Sequence, residues 1–170
     1  MKKKPKYYEN YPFDIVFTTF LFNLSIWLIG LYLTYLITPI LSFLFLLYMI
    51  FIELSVYVEG CKYCCYYGKW CAFGRGKLAK LFIKKGNPKK FCSREIGWKD
   101  FVPQIFGMIV PIVSGIYVLM NSFSWNILAL TLWPIFVWFI GNPILYGNLV
   151  CAHCKQGKKC CPALKFFSKK

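Results

Sequence analysis

Two long stretches of this chain carry no charged side chain. From Ile15 to Ile52, and again from Phe101 to Cys154, there is no Asp, Glu, Lys or Arg. A helix crosses the hydrocarbon of a bilayer with roughly 20 apolar residues, so each stretch can hold two crossings and a turn. Backbone polar groups in lipid must be satisfied by the spanning structure itself, which leaves helices or closed barrels. Barrel strands alternate apolar and polar residues in units of about ten, and neither stretch alternates in this way. The sequence therefore predicts an all-α integral membrane protein with four transmembrane helices, near residues 14–34, 39–58, 101–120 and 126–149. Pro39, which restricts Thr38 and can open a helix, and the small polar run Asn121 to Asn126 mark the turns of two hairpins.

Composition agrees. The chain is 58% hydrophobic and 16% charged, where a soluble domain is about 45–50% apolar and about 25% charged. The basic start MKKKPK resembles the head of a secretory signal. The apolar run behind it exceeds the 7–15 residues of a signal core, and no small-residue cleavage site follows, so the first helix is expected to be retained.

All 21 Lys and Arg lie outside the four helices: four in residues 1–12, eleven in residues 59–100 and six in residues 151–170. Basic residues in short loops stay cytoplasmic. Two hairpins place all three basic segments on one side, which predicts a cell-membrane protein with both termini in the cytoplasm. The net charge of +15 then needs no nucleic acid. The basic stretch Gly74 to Lys90 would suit nucleic acid in a soluble fragment, but beside membrane helices the nearer partner is a bilayer with anionic headgroups.

The nine cysteines all fall in the segments assigned to the cytoplasm, where thiols are kept reduced and a disulfide framework is not expected. Their arrangement repeats. Cys61-x2-Cys64 is followed by Gly68-Lys69 and Cys71; Cys151-x2-Cys154 is followed by Gly157-Lys158 and Cys160. Each copy follows the second helix of a hairpin, and each hairpin begins near an aspartate, Asp14 or Asp100. The chain thus reads as a 2+2 repeat, residues 1–86 and 87–170, each a helical hairpin plus a Cys-rich loop or tail.

A pair of cysteines separated by two residues offers two thiolates to one ion, and two such pairs make a closed tetrahedral zinc site. Cys61, Cys64, Cys151 and Cys154 form that set, with Cys71 and Cys160 as replacements or as ligands to a second ion. An iron–sulfur cluster uses the same donors, and a redox dithiol or acylated cysteines are further readings. His153, the single histidine, sits between two of these cysteines and is a further candidate donor. Glu53 is the one carboxylate well inside a predicted span, a default functional candidate, and Asn142 lies in the Pro- and Gly-interrupted second hairpin where a cavity could face it. One histidine gives no Ser-His-Asp set, and no phosphate-binding glycine loop is present.

The expected function is a small multi-pass scaffold or partner-binding subunit with a cytoplasmic structural zinc site. The partner is another membrane protein or a second copy. A membrane redox protein and a transporter component are the alternatives.

Overall fold

The computed structural model describes residues 7–93 and 98–161. The basic N-terminal run and the last residues of the tail, both used above in assigning a side of the membrane, lie outside them. Every regular element among the described residues is helical, and one isolated bridge pairs Tyr8 with Cys154. The helices are α1 (Phe13–Tyr35), α2 (Pro39–Glu59), α3 (Arg75–Phe82), α4 (Lys89–Ser93), α5 (Trp98–Asn121), α6 (Trp125–Phe136) and α7 (Lys155–Cys160). Four helical segments are long and apolar enough to cross a membrane: Phe13–Tyr35, Pro39–Tyr63, Asp100–Asn121 and Trp125–His153. They match the four stretches expected from the sequence.

Local chemistry sets the helix ends. Asp14 and Asp100 stand in the first turns of α1 and α5, where a carboxylate favours the positive end of the helix dipole. Thr38 caps α2, its Oγ1 accepting the Leu41 N–H at 3.2 Å. Pro39 follows at the first helical position, where its missing N–H costs nothing.

The second hairpin reads as interrupted by proline and glycine, yet α5 runs through both Pro103 and Pro111. The disruption falls later. After Pro134 in α6 the chain passes through a π-helical turn at Val137–Gly141, a short α-helical stretch at Asn142–Ile144, and a second π-helical turn at Leu145–Val150. A proline removes one helical hydrogen bond, and a widened turn absorbs the mismatch.

The chain divides into two compact units: Met1–Phe20, Ser55–Gly97 and Ile144–Lys170 form one, Leu21–Leu54 and Trp98–Pro143 the other. Each half of the sequence contributes to both. In the second unit glycines let helices approach closely. A Cβ at Gly30 would lie 2.6 Å from the Phe45 ring and 3.0 Å from Pro111, and one at Gly115 would collide with Thr131 Oγ1. Buried hydroxyls turn back to their own helices, Thr34 to the Gly30 carbonyl at 2.8 Å and Thr131 to the Ile127 carbonyl at 2.7 Å. Trp133 Nε1–H donates to Ser25 Oγ at 2.9 Å. Large apolar side chains cover the outside, among them Ile40, Phe51, Val113 and Phe139. An apolar surface of this extent suits hydrocarbon rather than water.

The tightness of the α5–α6 contact is open to test. Gly115→Leu should lower stability in detergent by about 1–3 kcal/mol, as overpacking does, and Thr131→Ala in the same chain should recover part of it. An unchanged melting temperature for Gly115→Leu would show that the close approach is absent.

Candidate functional site

Each Cys-x2-Cys motif forms the same turn. Gly60, which ends the helical run of α2, has φ −108° and ψ −69°; Val150, which ends the last π-helical turn, has φ −97° and ψ −66°. Each is followed by one 3₁₀ turn, Cys61–Tyr63 or Cys151–His153. The second cysteine is then extended, Cys64 at φ −74°, ψ 149° and Cys154 at φ −78°, ψ 118°. Its N–H donates to the carbonyl of the first, at 3.3 Å from Cys64 to Cys61 and 3.2 Å from Cys154 to Cys151. The repeat read in the sequence is thus matched in local backbone form.

The two turns grip each other reciprocally. The residue after each second cysteine donates its backbone N–H to a side chain of the other copy: Cys65 to Gln156 Oε1 at 3.1 Å, and Lys155 to the Tyr66 hydroxyl at 2.9 Å. Tyr66 and Gln156 stand at the same place in their copies, two residues past the second cysteine, and both are buried, at 3% and 6% exposure. One copy's acceptor is a phenol and the other's a carboxamide, yet the exchange is the same.

An N-terminal strap, Tyr8 to Tyr11, stitches across both copies. The Tyr8 N–H donates to the His153 carbonyl at 3.2 Å, and its carbonyl accepts from the Tyr66 hydroxyl at 2.7 Å. Asn10 Oδ1 accepts from Trp70 N–H at 3.2 Å, and the Tyr11 N–H donates to the Trp70 carbonyl at 2.9 Å. The Tyr11 hydroxyl reaches the Val150 carbonyl at 2.7 Å. Glu9 pairs with Lys155 of the second copy and lies 4.0 Å from Lys69 of the first. The hydrogen bond from Lys155 holds the Glu9 carboxyl below its ordinary value, and the same bond raises Lys155.

The thiols gather around this framework. Cys64, Cys65, Cys71 and Cys154 all pack against one apolar cluster built on Tyr11, Ile15, Val16, Tyr66, Ala72 and Val150. Cys71 Sγ accepts the Gly76 N–H at 3.2 Å. Gly76 is confined there, because a Cβ would strike the Tyr66 carbonyl. Gly68, with φ +77°, supplies the left-handed step that curls the first loop. Gly157 makes no such step and lies inside α7, so the copies diverge after their second cysteines.

Burial moves four of the unit's thiols and phenols upward, Cys64, Cys154, Tyr66 and Tyr11. The hydrogen bond that the Cys64 S–H donates to Cys65, together with desolvation, raises the Cys64 thiol, and desolvation raises Cys154. Tyr66 is pushed up to about 12 and Tyr11 higher, both chiefly by desolvation.

Of the residues singled out by sequence, Cys61, Cys64, Cys71, Cys151 and Cys154 belong to this one unit as thiols. Cys160 belongs to it too, but is joined to Cys92 in a disulfide with Cα atoms 5.2 Å apart, within the span such a bond requires. No disulfide was expected; α4 and α7 carry the pair to bonding distance. Among the described residues no three Cys, His, Asp or Glu side chains converge on one metal position. His153 lies with its ring 5.1 Å from that of Tyr8. Glu53 and Asn142 are half-buried and belong to the other unit.

Sequence reasoning missed the strap, because nothing in Tyr8 to Tyr11 marks it as an organising segment. Cys61, Cys64 and Cys71 have the same spacing, C-x2-C-x6-C, as Cys151, Cys154 and Cys161. No family model matches this chain, and neither does a curated protein or a solved structure.

The reciprocal clasp carries a measurable cost. Tyr66→Phe leaves the Lys155 N–H and the Tyr8 carbonyl short of a partner, and Gln156→Ala does the same to the Cys65 N–H. Each should destabilise the cysteine unit by about 1–3 kcal/mol, and the double variant should lose less than the sum because both act on one network. Hydrogen exchange across residues 61–71 and 151–157 reads this; strictly additive losses would contradict a shared clasp.

Proposed function

We propose that this is a four-span membrane protein, arranged as two hairpins, with both termini and the cysteine unit on the cytoplasmic face of the cell membrane. It acts there as a small scaffold or partner-binding subunit. The observation that carries the reading is the clasp: the segments that follow α2 and the fourth apolar helix lock onto each other through buried polar contacts. A unit built this way holds the ends of two spans in fixed register and presents one composite surface. The distribution of Lys and Arg supports the cytoplasmic assignment.

The surface is suited to two kinds of neighbour. On α3, Gly76 and Ala79 are buried while Leu81 and Phe82 are 74% and 77% exposed beside Lys77 and Lys80. That pattern favours anionic headgroups, with apolar side chains entering the interface. The partner protein is a second membrane protein or another copy of this chain. Zinc is the structural ion in this reading, since a closed all-thiolate set suits it.

A second reading is favoured by the Cys92–Cys160 bond, which lies in the same unit as seven further cysteines. It makes the protein a membrane-bound thiol redox protein. An iron–sulfur centre is its cofactor-bearing form.

The topology is tested with a membrane-impermeant maleimide on intact cells. The cysteines should stay unlabelled until the membrane is permeabilised. Labelling of Cys64 or Cys154 from outside would invert the assignment. A redox titration separates the two readings: the scaffold predicts no change in partner capture as Cys92–Cys160 opens, the redox protein a cycle at physiological potential.

A further inference from the structure

We propose that α3, with the lysines that follow it, is an in-plane anchor for anionic phospholipid: its basic residues take the headgroups, Leu78, Leu81 and Phe82 enter the acyl boundary, and lipid held there steadies the first cysteine loop. The proposal deepens the membrane reading above and rests on its four spans.

Three observations lead here. The first is depth. The segment leading into α3 packs on the first two turns of α1: the Thr19 hydroxyl donates to the Ala72 carbonyl, and a Cβ at Gly74 would lie 3.4 Å from Val16. Thr19 and Ala72 are buried, at 2% and 3% exposure. Thr19 stands six residues beyond Phe13, where α1 starts, or about 9 Å along the helix, and inside the charge-free stretch. α3 therefore begins beside the end of a span, at the level an interfacial helix occupies when its apolar face sinks about 5–10 Å into the headgroup boundary.

The second is the pattern of the helix itself. At 3.6 residues a turn, Gly76 and Ala79 share one side of α3 and are buried. Leu78, Leu81 and Phe82 share the opposite side and are 46%, 74% and 77% exposed. Arg75 and Lys77 stand on the two edges of that apolar stripe, where long side chains keep their stems in the apolar zone and carry their charge to water. Trp70 joins them, with Lys77 Nζ 4.5 Å from its ring centroid, and an indole favours the headgroup level.

The third is charge. Gly60 to Ser93 holds nine Lys and Arg and no Asp or Glu. Lys80, Lys84 and Lys85 are exposed. Cations beside an exposed apolar stripe complement an anionic leaflet. The phosphate backbone of a nucleic acid would match the cations alone and leave the aliphatic Leu78 and Leu81 uncovered.

α3 is tied to the cysteine loop. The Gly76 carbonyl accepts the Gly68 N–H at 2.8 Å, and Gly76 lies against the Tyr66 carbonyl. A ligand that binds the folded loop stabilises it by mass action.

The experiment uses the full chain in nanodiscs of phosphatidylcholine, alone or mixed with phosphatidylglycerol. Acyl chains brominated near the headgroup should quench the indole of Phe82→Trp, read as the difference from the unaltered chain. The protein should retain phosphatidylglycerol on mild extraction, about fivefold less for each lysine removed in the series Lys80→Gln, Lys84→Gln and Lys85→Gln. Inorganic phosphate should not displace it. In the unaltered chain phosphatidylglycerol should slow hydrogen exchange across residues 61–71, a readout that needs no variant. An unquenched Phe82→Trp, retention indifferent to the lysines, or exchange equal in the two nanodiscs overturns the proposal, while the impermeant-maleimide result still decides the four spans. Binding of an RNA duplex that falls with the same lysines, with phosphatidylglycerol retention unchanged, would assign the face to nucleic acid and overturn it too. A chain that stays outside the nanodisc removes the four-span reading and the anchor together.

Discussion

The cysteine unit depends on three hydrogen bonds made by Tyr66 and Gln156. The Tyr66 hydroxyl donates to Tyr8 and accepts from Lys155, so one phenol joins the N-terminal strap, the first cysteine loop and the second. Gln156 answers from the other copy. Polar groups in so enclosed a place are costly when any member is unpaired and specific when all are paired. The described residues leave no buried side-chain nitrogen or oxygen without a partner. That completeness joins the apolar cluster around Tyr11, Tyr66 and Val150 in giving the loops a defined structure.

The pseudo-symmetry gives this network a simple origin. Two copies of one turn, each following an apolar helix, meet by exchanging the same backbone donor for the same side-chain position. The exchange tolerates divergence: phenol against carboxamide, a left-handed loop at Gly68 against a helix begun at Lys155. What the copies keep in common is the part that places sulfur. In the second copy two cysteines are adjacent in sequence, and Cys160 is the one joined to Cys92.

Much of the fold was legible in the sequence because long charge-free apolar stretches admit few structures other than long helices. The expected spans 14–34 and 39–58 stand beside Phe13–Tyr35 and Pro39–Glu59; charge-free length and Pro39 suffice for that. The course of the fourth span was less legible. Pro103 and Pro111 lie inside an uninterrupted α5, while Pro134 is followed by two π-helical turns, and composition alone does not tell these cases apart. The cysteine repeat was readable, but its partners were not. Tyr8, Glu9 and Tyr11 act over a sequence distance of more than a hundred residues, and no local pattern carries that information.

Two cysteine motifs ninety residues apart, held against each other by paired backbone donors, are the core of this account. The most direct check is a short bifunctional thiol reagent applied to the protein in its native membrane, followed by proteolysis and mass spectrometry. The account predicts an intrachain bridge between the first cluster, at Cys64 or Cys65, and the second, at Cys154, diminished when Tyr66 or Gln156 is replaced. Bridges confined to cysteines within one cluster, unaffected by those replacements, would contradict it.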